Sequence, residues 1–364
     1  MDIYLDNAAT TPLAKANESE FVANPSSPHL LGISAERNLS AAREIFASII
    51  SCSPSEITFT SGGTEANNIA LIGHALANRR KQITFIANPW EHPSILEPLK
   101  FIQEQELGKV LIAPIENYTG SEQTLATISH VNHETGDVNN ISEISQKIKS
   151  ASPNTAILVD GVQGFCKEPL CTKHVDMMSI SGHKCHGSTG VGVLMVKKHI
   201  QLKPIMYGGS QEQKLRPGTE NTASIMQFAN IAKQLHANIA VNNEHVAKMK
   251  HELASHITNI SGVEINALSS DVSPYILNLS FLGIKGEVLV HLLSQKGVHA
   301  SMGAACNSRK KTKSSLEYMG FSKERAESAV RFSFSHLNTM EEISTAKTII
   351  IDCVNQMQKI FEHE

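Results

Sequence analysis

A lysine in a turn of small residues is the first side chain whose type and setting could do chemistry. Lys184 lies within residues 181–187, between apolar runs at 175–180 and 191–196 that have the length of buried strands. An enclosed lysine gives up its charge more easily than a solvated one, so its amine can attack a carbonyl cofactor and hold it as a Schiff base. The segment alone also fits an ordinary loop lysine.

A glycine turn between a predicted strand and a predicted helix could bind a phosphate. The turn covers residues 61–64, with Gly63 and Thr64 next to the start of the helix. Glycines let the backbone approach an anion closely, and the N–H groups at a helix start point toward it. The lysine of a P-loop does not follow, and a plain strand–turn–helix connection would have the same sequence.

Two polar residues follow predicted strands, where an open parallel sheet binds its ligands. Asp160 ends the strand predicted at 156–160, and a carboxylate there could hold the positive charge of a ring nitrogen. His92 follows the strand predicted at 82–87 after a short loop and could stack on a flat cofactor. The alternatives are a helix cap for Asp160 and a surface position for His92.

The C-terminal third of the chain carries two more candidates. Cys306 lies among small residues at 301–308, a setting that suits an accessible thiol on a loop, although a buried inert cysteine is the alternative. Arg331 lies inside the apolar stretch 329–334, and an arginine in a strand usually has an anionic partner. Its planar fork of donors suits a carboxylate.

These candidates fit one cofactor when they are taken together. A Schiff-base lysine, an aspartate for a ring nitrogen, a phosphate turn, a stacking histidine and an arginine for a carboxylate are the protein side of a pyridoxal phosphate site. The arginine indicates that the substrate is an amino acid.

The elements that must position these residues alternate between strand and helix patterns. Strands are predicted at 56–60, 82–87, 110–114, 126–131, 156–160, 175–180 and 191–196, and helices at 34–50, 65–79, 94–104 and 141–149. This alternation predicts an α/β fold, with a mostly parallel sheet between helices. A long helix at 222–259 follows, and then mixed strands (275–280, 329–334) and helices (287–295, 340–356). We therefore predict a large cofactor-binding domain at 12–245 and a smaller α+β domain made of 1–11 and 246–364.

Composition excludes several classes of protein. The 364 residues carry 32 basic and 35 acidic side chains, which gives no support for binding nucleic acid. No apolar run has the length of a membrane span, and the first residues do not resemble a signal peptide. Six scattered cysteines suit a reducing compartment, so we expect the cytoplasm. The spacing of cysteines and histidines matches no zinc pattern, and we predict no metal site.

Motifs along nearly the whole chain resemble the cysteine desulfurases, in the class V aminotransferase group of fold-type I pyridoxal phosphate enzymes. The matching segments keep the family's order. They are residues 4–11, 24–27, 59–68, 91–92, 131–136, 160–163, 181–184, 216–221, 303–306 and 331–333.

The resemblance implies a role for each matching residue. Lys184 would hold the cofactor and move the Cα proton, and His92 would stack on the ring and take part in catalysis. Asp160 would pair with the ring nitrogen and Gln163 with the ring hydroxyl. The phosphate would be bound by Gly63, Thr64, Ser181, His183 and Thr219 of the partner subunit of a homodimer. The substrate would be bound by Arg331, His133 and Asn7.

Some positions of the chain depart from the family's usual pattern. His133 stands where asparagine is common, and an imidazole is bulkier and can titrate. Gly161 stands where alanine is common under the ring.

Cys306 would be the sulfur acceptor of the reaction that the resemblance implies. The enzyme would convert L-cysteine to L-alanine and carry the sulfur as a persulfide on Cys306. It would then pass the sulfur to an acceptor protein, such as an iron–sulfur scaffold or a thiolation enzyme. Selenocysteine lyase, an aminotransferase on the same fold and a non-catalytic binding protein are the alternatives.

Overall fold

The structure, a computed structural model, describes residues 2–14, 23–118, 123–302 and 313–361. Cys306 and the segment around it lie outside the described residues. The chain forms two compact units. The first comprises Met1–Thr11, Val131–Val138 and Ile239–Glu364, and the second comprises Pro12–His130 and Asn139–Asn238.

Strands and helices are numbered in chain order. The strands are β1 (Ile3–Tyr4), β2 (Ile57–Thr60), β3 (Thr84–Ala87), β4 (Lys109–Ile112), β5 (Thr124–Ser129), β6 (Ala156–Asp160), β7 (Met177–Ser181), β8 (Gly192–Val196), β9 (Val263–Ile265), β10 (Ile276–Phe281), β11 (Val298–His299), β12 (Ser301–Met302) and β13 (Ala329–Ser333). The helices are α1 (Leu30–Ile50), α2 (Gly63–Ala77), α3 (Pro93–Glu104), α4 (Ile141–Ala151), α5 (Thr222–Ala237), α6 (Ile239–Ile257), α7 (Gly286–Gln295), α8 (Ser315–Tyr318), α9 (Lys323–Glu327) and α10 (Met340–Phe361).

The second unit is built on a seven-stranded sheet in the order β2-β8-β7-β6-β5-β3-β4. Neighbouring strands are parallel except at β8, which is antiparallel to both β2 and β7. The α/β class with a mostly parallel sheet is therefore confirmed.

Helices cover both faces of this sheet because its strands are apolar on both sides. In β6, Ile157 and Val159 pack into a cluster with residues of α1, α4 and α5. Ala156 and Leu158 point the other way, into a cluster with α2 and α3. This alternation follows the two-residue period of a strand.

The first unit has a four-stranded antiparallel sheet in the order β12-β13-β10-β9, and a separate parallel pair of β1 with β11. Its core contains apolar residues of α6, α7 and α10 packed against β10 and β13. Asp6 forms an isolated bridge with Ser333, the last residue of β13. The start of the chain therefore lies beside the strand that carries Arg331.

The units differ from the predicted domains in two places. The helix predicted at 222–259 is interrupted at Asn238, whose backbone (φ −114°, ψ 13°) leaves the helical conformation, so the second unit ends there rather than at residue 245. Residues 131–138 belong to the first unit, where Asp137 bridges Val272. That bridge joins distant parts of the chain and has no local sequence signal.

Within the described residues, no helix is both long enough and apolar enough to cross a membrane.

Candidate active site

The second unit brings the ends of three strands to one edge of its sheet. Gly192 of β8 pairs with Thr60, the last residue of β2, and with Ser181, the last residue of β7. Asp160, the last residue of β6, pairs with Ser179 of β7. The glycine turn, the aspartate and the lysine turn therefore lie at the same edge, at the ends of β2, β6 and β7.

The lysine turn is tightly packed. Residues Gly182–Lys184 form a single 3₁₀ turn directly after β7. A side chain at Gly182 would lie 2.7 Å from Val191 Cγ1, and one at Gly187 would lie 2.8 Å from a ring carbon of Phe228. Only glycine fits at these two positions, and this packing holds the half-buried Lys184 close to the sheet edge.

His183 is neutral near pH 7. Burial, together with the positive charges of Lys184 and Lys167, lowers its pKa to about 4. A neutral imidazole next to the lysine can accept or donate one hydrogen bond without adding a charge.

The start of α2 has the features of a phosphate site. Gly62 gives the helix no side-chain cap, and the position of a Cβ on Gly62 lies 3.5 Å from Ser181 Oγ. That hydroxyl is buried and has no hydrogen-bond partner within the described residues. A side chain at Gly63 would lie 2.5 Å from Val162 Cγ2, so the turn stays open only with glycine. The helix start and the unpartnered hydroxyl fit a phosphate group.

One backbone N–H of the glycine turn already donates to a side chain. The Ser61 N–H donates to Glu65 Oε2 at 2.7 Å, and Glu65 also accepts from Arg216 Nε at 2.9 Å. These two bonds hold residue 216 against the first turn of α2, three residues before the exposed Thr219. Thr64, also in that first turn, is exposed.

Asp160 is held by two donors and only 7% exposed. Its Oδ1 accepts from the Val162 N–H and its Oδ2 from Asn67 Nδ2, both at 3.0 Å. A carboxylate held in place by two donors fits the protonated ring nitrogen of pyridoxal phosphate, and Gln163, three residues later, is also buried.

Asn67 and Ser94 were not identified from the sequence. Asn67 donates a second bond to Ser94 Oγ at 2.9 Å, and Ser94 Oγ lies 2.8 Å from His92 Nδ1. The available signal was a polar residue on the buried face of α2, where His74 is the other polar side chain and the rest are apolar or glycine.

Glu91 was also missed, and it lies fully buried next to His92. Burial first, and then the negative charge of Asp160, raises its pKa to about 7, against the opposing effect of hydrogen bonds from Ser129 and Asn88. The site therefore contains a carboxyl group that titrates near neutral pH.

The first unit brings three other predicted residues together. Arg331 is 6% exposed; its Nη1 donates to the His133 carbonyl at 2.7 Å and its Nη2 pairs with Asp6 Oδ1 at 3.2 Å. Its Nε has no partner within the described residues, so the guanidinium can still donate to a carboxylate. Asn7 is buried and donates from Nδ2 to the Ser333 carbonyl at 2.9 Å.

Across the residues that the structure describes, no group of three or more histidine, cysteine, aspartate or glutamate side chains is placed to hold a metal ion.

Known proteins resemble this chain over nearly its whole length. A family model described as aminotransferase class-V matches residues 3–345. A NifS/IcsS protein homolog of Lactobacillus delbrueckii subsp. bulgaricus is 37% identical over 362 residues, covering 93% of this chain and 94% of that protein. The putative cysteine desulfurase IscS 1 of Bacillus subtilis is 32% identical, covering 98% of this chain and 99% of that protein.

A solved structure described as a NifS-like protein matches with a TM-score of 0.90 at 30% identity, covering 98% of this chain and 100% of that one. The resemblance noted in the sequence and the predicted fold class are both confirmed by these matches. The chain therefore belongs to the class-V aminotransferase family, in its cysteine desulfurase branch.

Proposed function

We propose that this protein is a pyridoxal phosphate-dependent cysteine desulfurase that converts L-cysteine to L-alanine and transfers the sulfur to Cys306. The observation that carries the proposal is the shared sheet edge of the second unit. There the Lys184 turn, the buried Asp160 carboxylate and the unpartnered Ser181 hydroxyl follow neighbouring strands.

The cofactor would be held by residues of the second unit. Bound at Lys184, pyridoxal phosphate supplies an electron sink that acidifies the Cα proton and weakens the Cβ–S bond of cysteine. Asp160 keeps a proton on the ring nitrogen, and Gln163 binds the ring hydroxyl. The phosphate is bound by Gly63, Thr64, Ser181, His183 and Thr219 of the partner subunit.

Lys184 and Arg331 would act on the substrate directly. The Lys184 amine takes the Cα proton and returns a proton to the carbon skeleton. Arg331 binds the substrate carboxylate with donors that His133 and Asp6 leave unused, supported by Asn7 and His133. His92 acts on the cofactor instead: it covers one face of the ring and keeps water from it.

Cys306 would decide which product forms. Its thiolate attacks the sulfur of the substrate, so that an S–S bond forms while the Cβ–S bond breaks. The electron pair of the broken bond stays with the carbon skeleton, which takes up protons and leaves as alanine. The sulfur remains on Cys306 as a persulfide and passes to an acceptor protein.

We propose further that the protein works as a homodimer in the cytoplasm and supplies sulfur for iron–sulfur clusters or thiolation. Five cysteines within the described residues are free of disulfides, which suits a reducing compartment.

Incubating the purified protein with L-cysteine tests the reaction. We expect alanine to form, Cys306 to gain the mass of one sulfur atom and a visible absorption band to disappear in Lys184→Ala. Cys306→Ser should abolish desulfuration, whereas Cys171→Ser, at an exposed cysteine, should not. Alanine release from L-cysteine that survives Cys306→Ser would contradict the mechanism, and survival with L-selenocysteine alone would favour a selenocysteine lyase.

A further inference from the structure

We infer that Asn67 is a positioning residue that fixes two groups of the cofactor site at once. It orients the Asp160 carboxylate directly and, through the Ser94 hydroxyl, supports the protonation state of the His92 ring. The inference rests on the proposed function for the roles of Asp160 and His92. The bonds themselves belong to the protein and can be measured with or without the cofactor.

The amide of Asn67 has a single orientation that satisfies its surroundings. Its two N–H groups donate to Asp160 Oδ2 at 3.0 Å and to Ser94 Oγ at 2.9 Å. Asn67 is fully buried, and its Oδ1 has no partner within the described residues. Rotating the amide by 180° would set Oδ1 against a carboxylate oxygen, so the two acceptors hold it in place.

Ser94 contacts both Asn67 and His92 through its hydroxyl oxygen. Ser94 Oγ accepts from Asn67 Nδ2 and also lies 2.8 Å from His92 Nδ1, so its O–H donates to that nitrogen when Nδ1 carries a lone pair. The Ser94 N–H, in the first turn of α3, also donates to His92 Nδ1 at 3.1 Å. A backbone N–H can only donate, so His92 Nδ1 must carry a lone pair.

The ring of His92 is therefore neutral, with its proton on Nε2. A proton on Nδ1 would point at the Ser94 backbone N–H, which cannot accept it, and this excludes both the other tautomer and the imidazolium in this arrangement. Asn67 thus holds the Asp160 carboxylate in place and supports a neutral His92 in the same site. The ring nitrogen gains a fixed counter-charge, and the ring face gains a histidine that presents an Nε2–H donor.

Asn67→Ala tests this assignment in the full-length protein labelled with ¹⁵N at histidine, with and without pyridoxal phosphate. His92→Gln identifies the His92 signals. In the unaltered protein, Nδ1 should resonate as an acceptor nitrogen and Nε2 as a protonated one. In Asn67→Ala, the Nδ1 signal should shift because the Ser94 hydroxyl loses the donor that orients it, and the affinity for pyridoxal phosphate should fall about tenfold to a hundredfold, as expected for one lost hydrogen bond to a charged group.

Asn68→Ala is the matched control. Asn68 is the next residue of the same helix, and its Nδ2 donates to the Thr64 carbonyl at 2.8 Å. It should change neither the His92 signals nor the affinity. The inference is overturned if either readout in Asn67→Ala is the same as in Asn68→Ala.

Ser94→Ala separates the effect of Asn67 on Asp160 from its effect on His92. It also provides a test if Asn67→Ala does not fold. It removes one hydroxyl and leaves the bond from Asn67 to Asp160. The His92 signals should change while cofactor affinity falls less than in Asn67→Ala; unchanged His92 signals would overturn the inference. A wild-type protein that does not bind pyridoxal phosphate would instead contradict the proposed function. The His92 signals measured without cofactor would still test the hydrogen bonds from Asn67 through Ser94 to His92.

Discussion

Glu91 is the residue at which burial and charge conflict most clearly. Its Oε1 accepts from Asn88 Nδ2 at 3.1 Å and from the Ser129 N–H at 3.2 Å, while its Oε2 is buried without a partner in the described part of the chain. A carboxylate in that setting lacks the solvation that it has in the unfolded chain. The folded protein therefore prefers the protonated form.

We predict that Glu91 makes the protein less stable as pH rises from about 4.5 to about 7, the interval between its usual pKa and the raised one. In that interval the folded state binds more protons than the unfolded state, so the free energy of unfolding falls. The loss should be on the order of 3 kcal/mol. Urea unfolding across this range should give a steeper decline for the wild type than for Glu91→Gln, and parallel curves would contradict the prediction.

The structure gives a reason for glycine at position 161 of this chain. A Cβ at this position would collide with Met178 Cε and lie 3.1 Å from the Ser179 carbonyl oxygen. The alanine that is common in the family would therefore require the Met178 side chain to move.

Gly161→Ala should destabilise the protein by about 1–3 kcal/mol, the usual cost of overpacking. Shortening the colliding side chain should relieve the strain, so Gly161→Ala/Met178→Val should lose less stability than the two single variants together. A double-mutant cycle by urea unfolding measures this coupling. Additive losses would show that the methionine is not the cause.

At the scale of elements, an ion pair fixes the turn that precedes Thr219. Glu212, Gln213 and Lys214 all have positive φ (45°, 57° and 66°), a conformation that is unfavourable for residues other than glycine. Glu212 is held by Arg43 of α1 through bonds of 2.8 and 3.0 Å, and by the Phe59 N–H at 2.9 Å. The strained turn therefore depends on contacts with α1 and β2.

Glu212→Gln should destabilise the second unit by about 3 kcal/mol, because it leaves the mostly buried Arg43 without a counter-charge. Glu104→Gln is the control, since Glu104 pairs with Lys100 at 3.9 Å on the exposed face of α3. Thermal unfolding should show a lowered midpoint for the first variant and an unchanged one for the second. Equal midpoints would mean that the turn does not depend on the ion pair.

At the scale of the whole molecule, the chain divides its predicted site residues between two units with separate cores. The proposed cofactor ligands lie in the second unit, apart from the one that a partner subunit supplies. The arginine for the substrate carboxylate lies in the first. The proposed homodimer adds a further requirement, because Thr219 would serve the site of the other subunit.

Mixing two inactive variants tests that requirement. Lys184→Ala and Thr219→Val should each have little activity alone. After denaturation and refolding together, mixed dimers would contain one site with neither substitution, so alanine production should rise above that of either variant refolded alone. Absence of any rise, with mixed dimers shown by mass spectrometry, would place Thr219 in the site of its own subunit.

Local sequence patterns were sufficient to predict most strands and helices of this protein. The alternation of apolar runs with helical segments predicted β6 at its observed bounds and most other elements to within a few residues. Lys184, Asp160 and Gly63 were singled out because each lies at or just after the end of a strand. That position can be read from the neighbouring residues of the sequence. The break at Asn238 was not predicted, because asparagine interrupts a helix in some contexts and not in others.

The sequence by itself determined the fold class and predicted the sheet edge of the proposed site and the kind of cofactor, since all three follow from residue types and their order along neighbouring segments. Only the tertiary structure decided which side chains act together. Asn67 meets Asp160 across 93 residues, and Arg331 meets Asp6 across 325. Such contacts depend on strand register and helix packing, and these are set by the whole core rather than by any one segment.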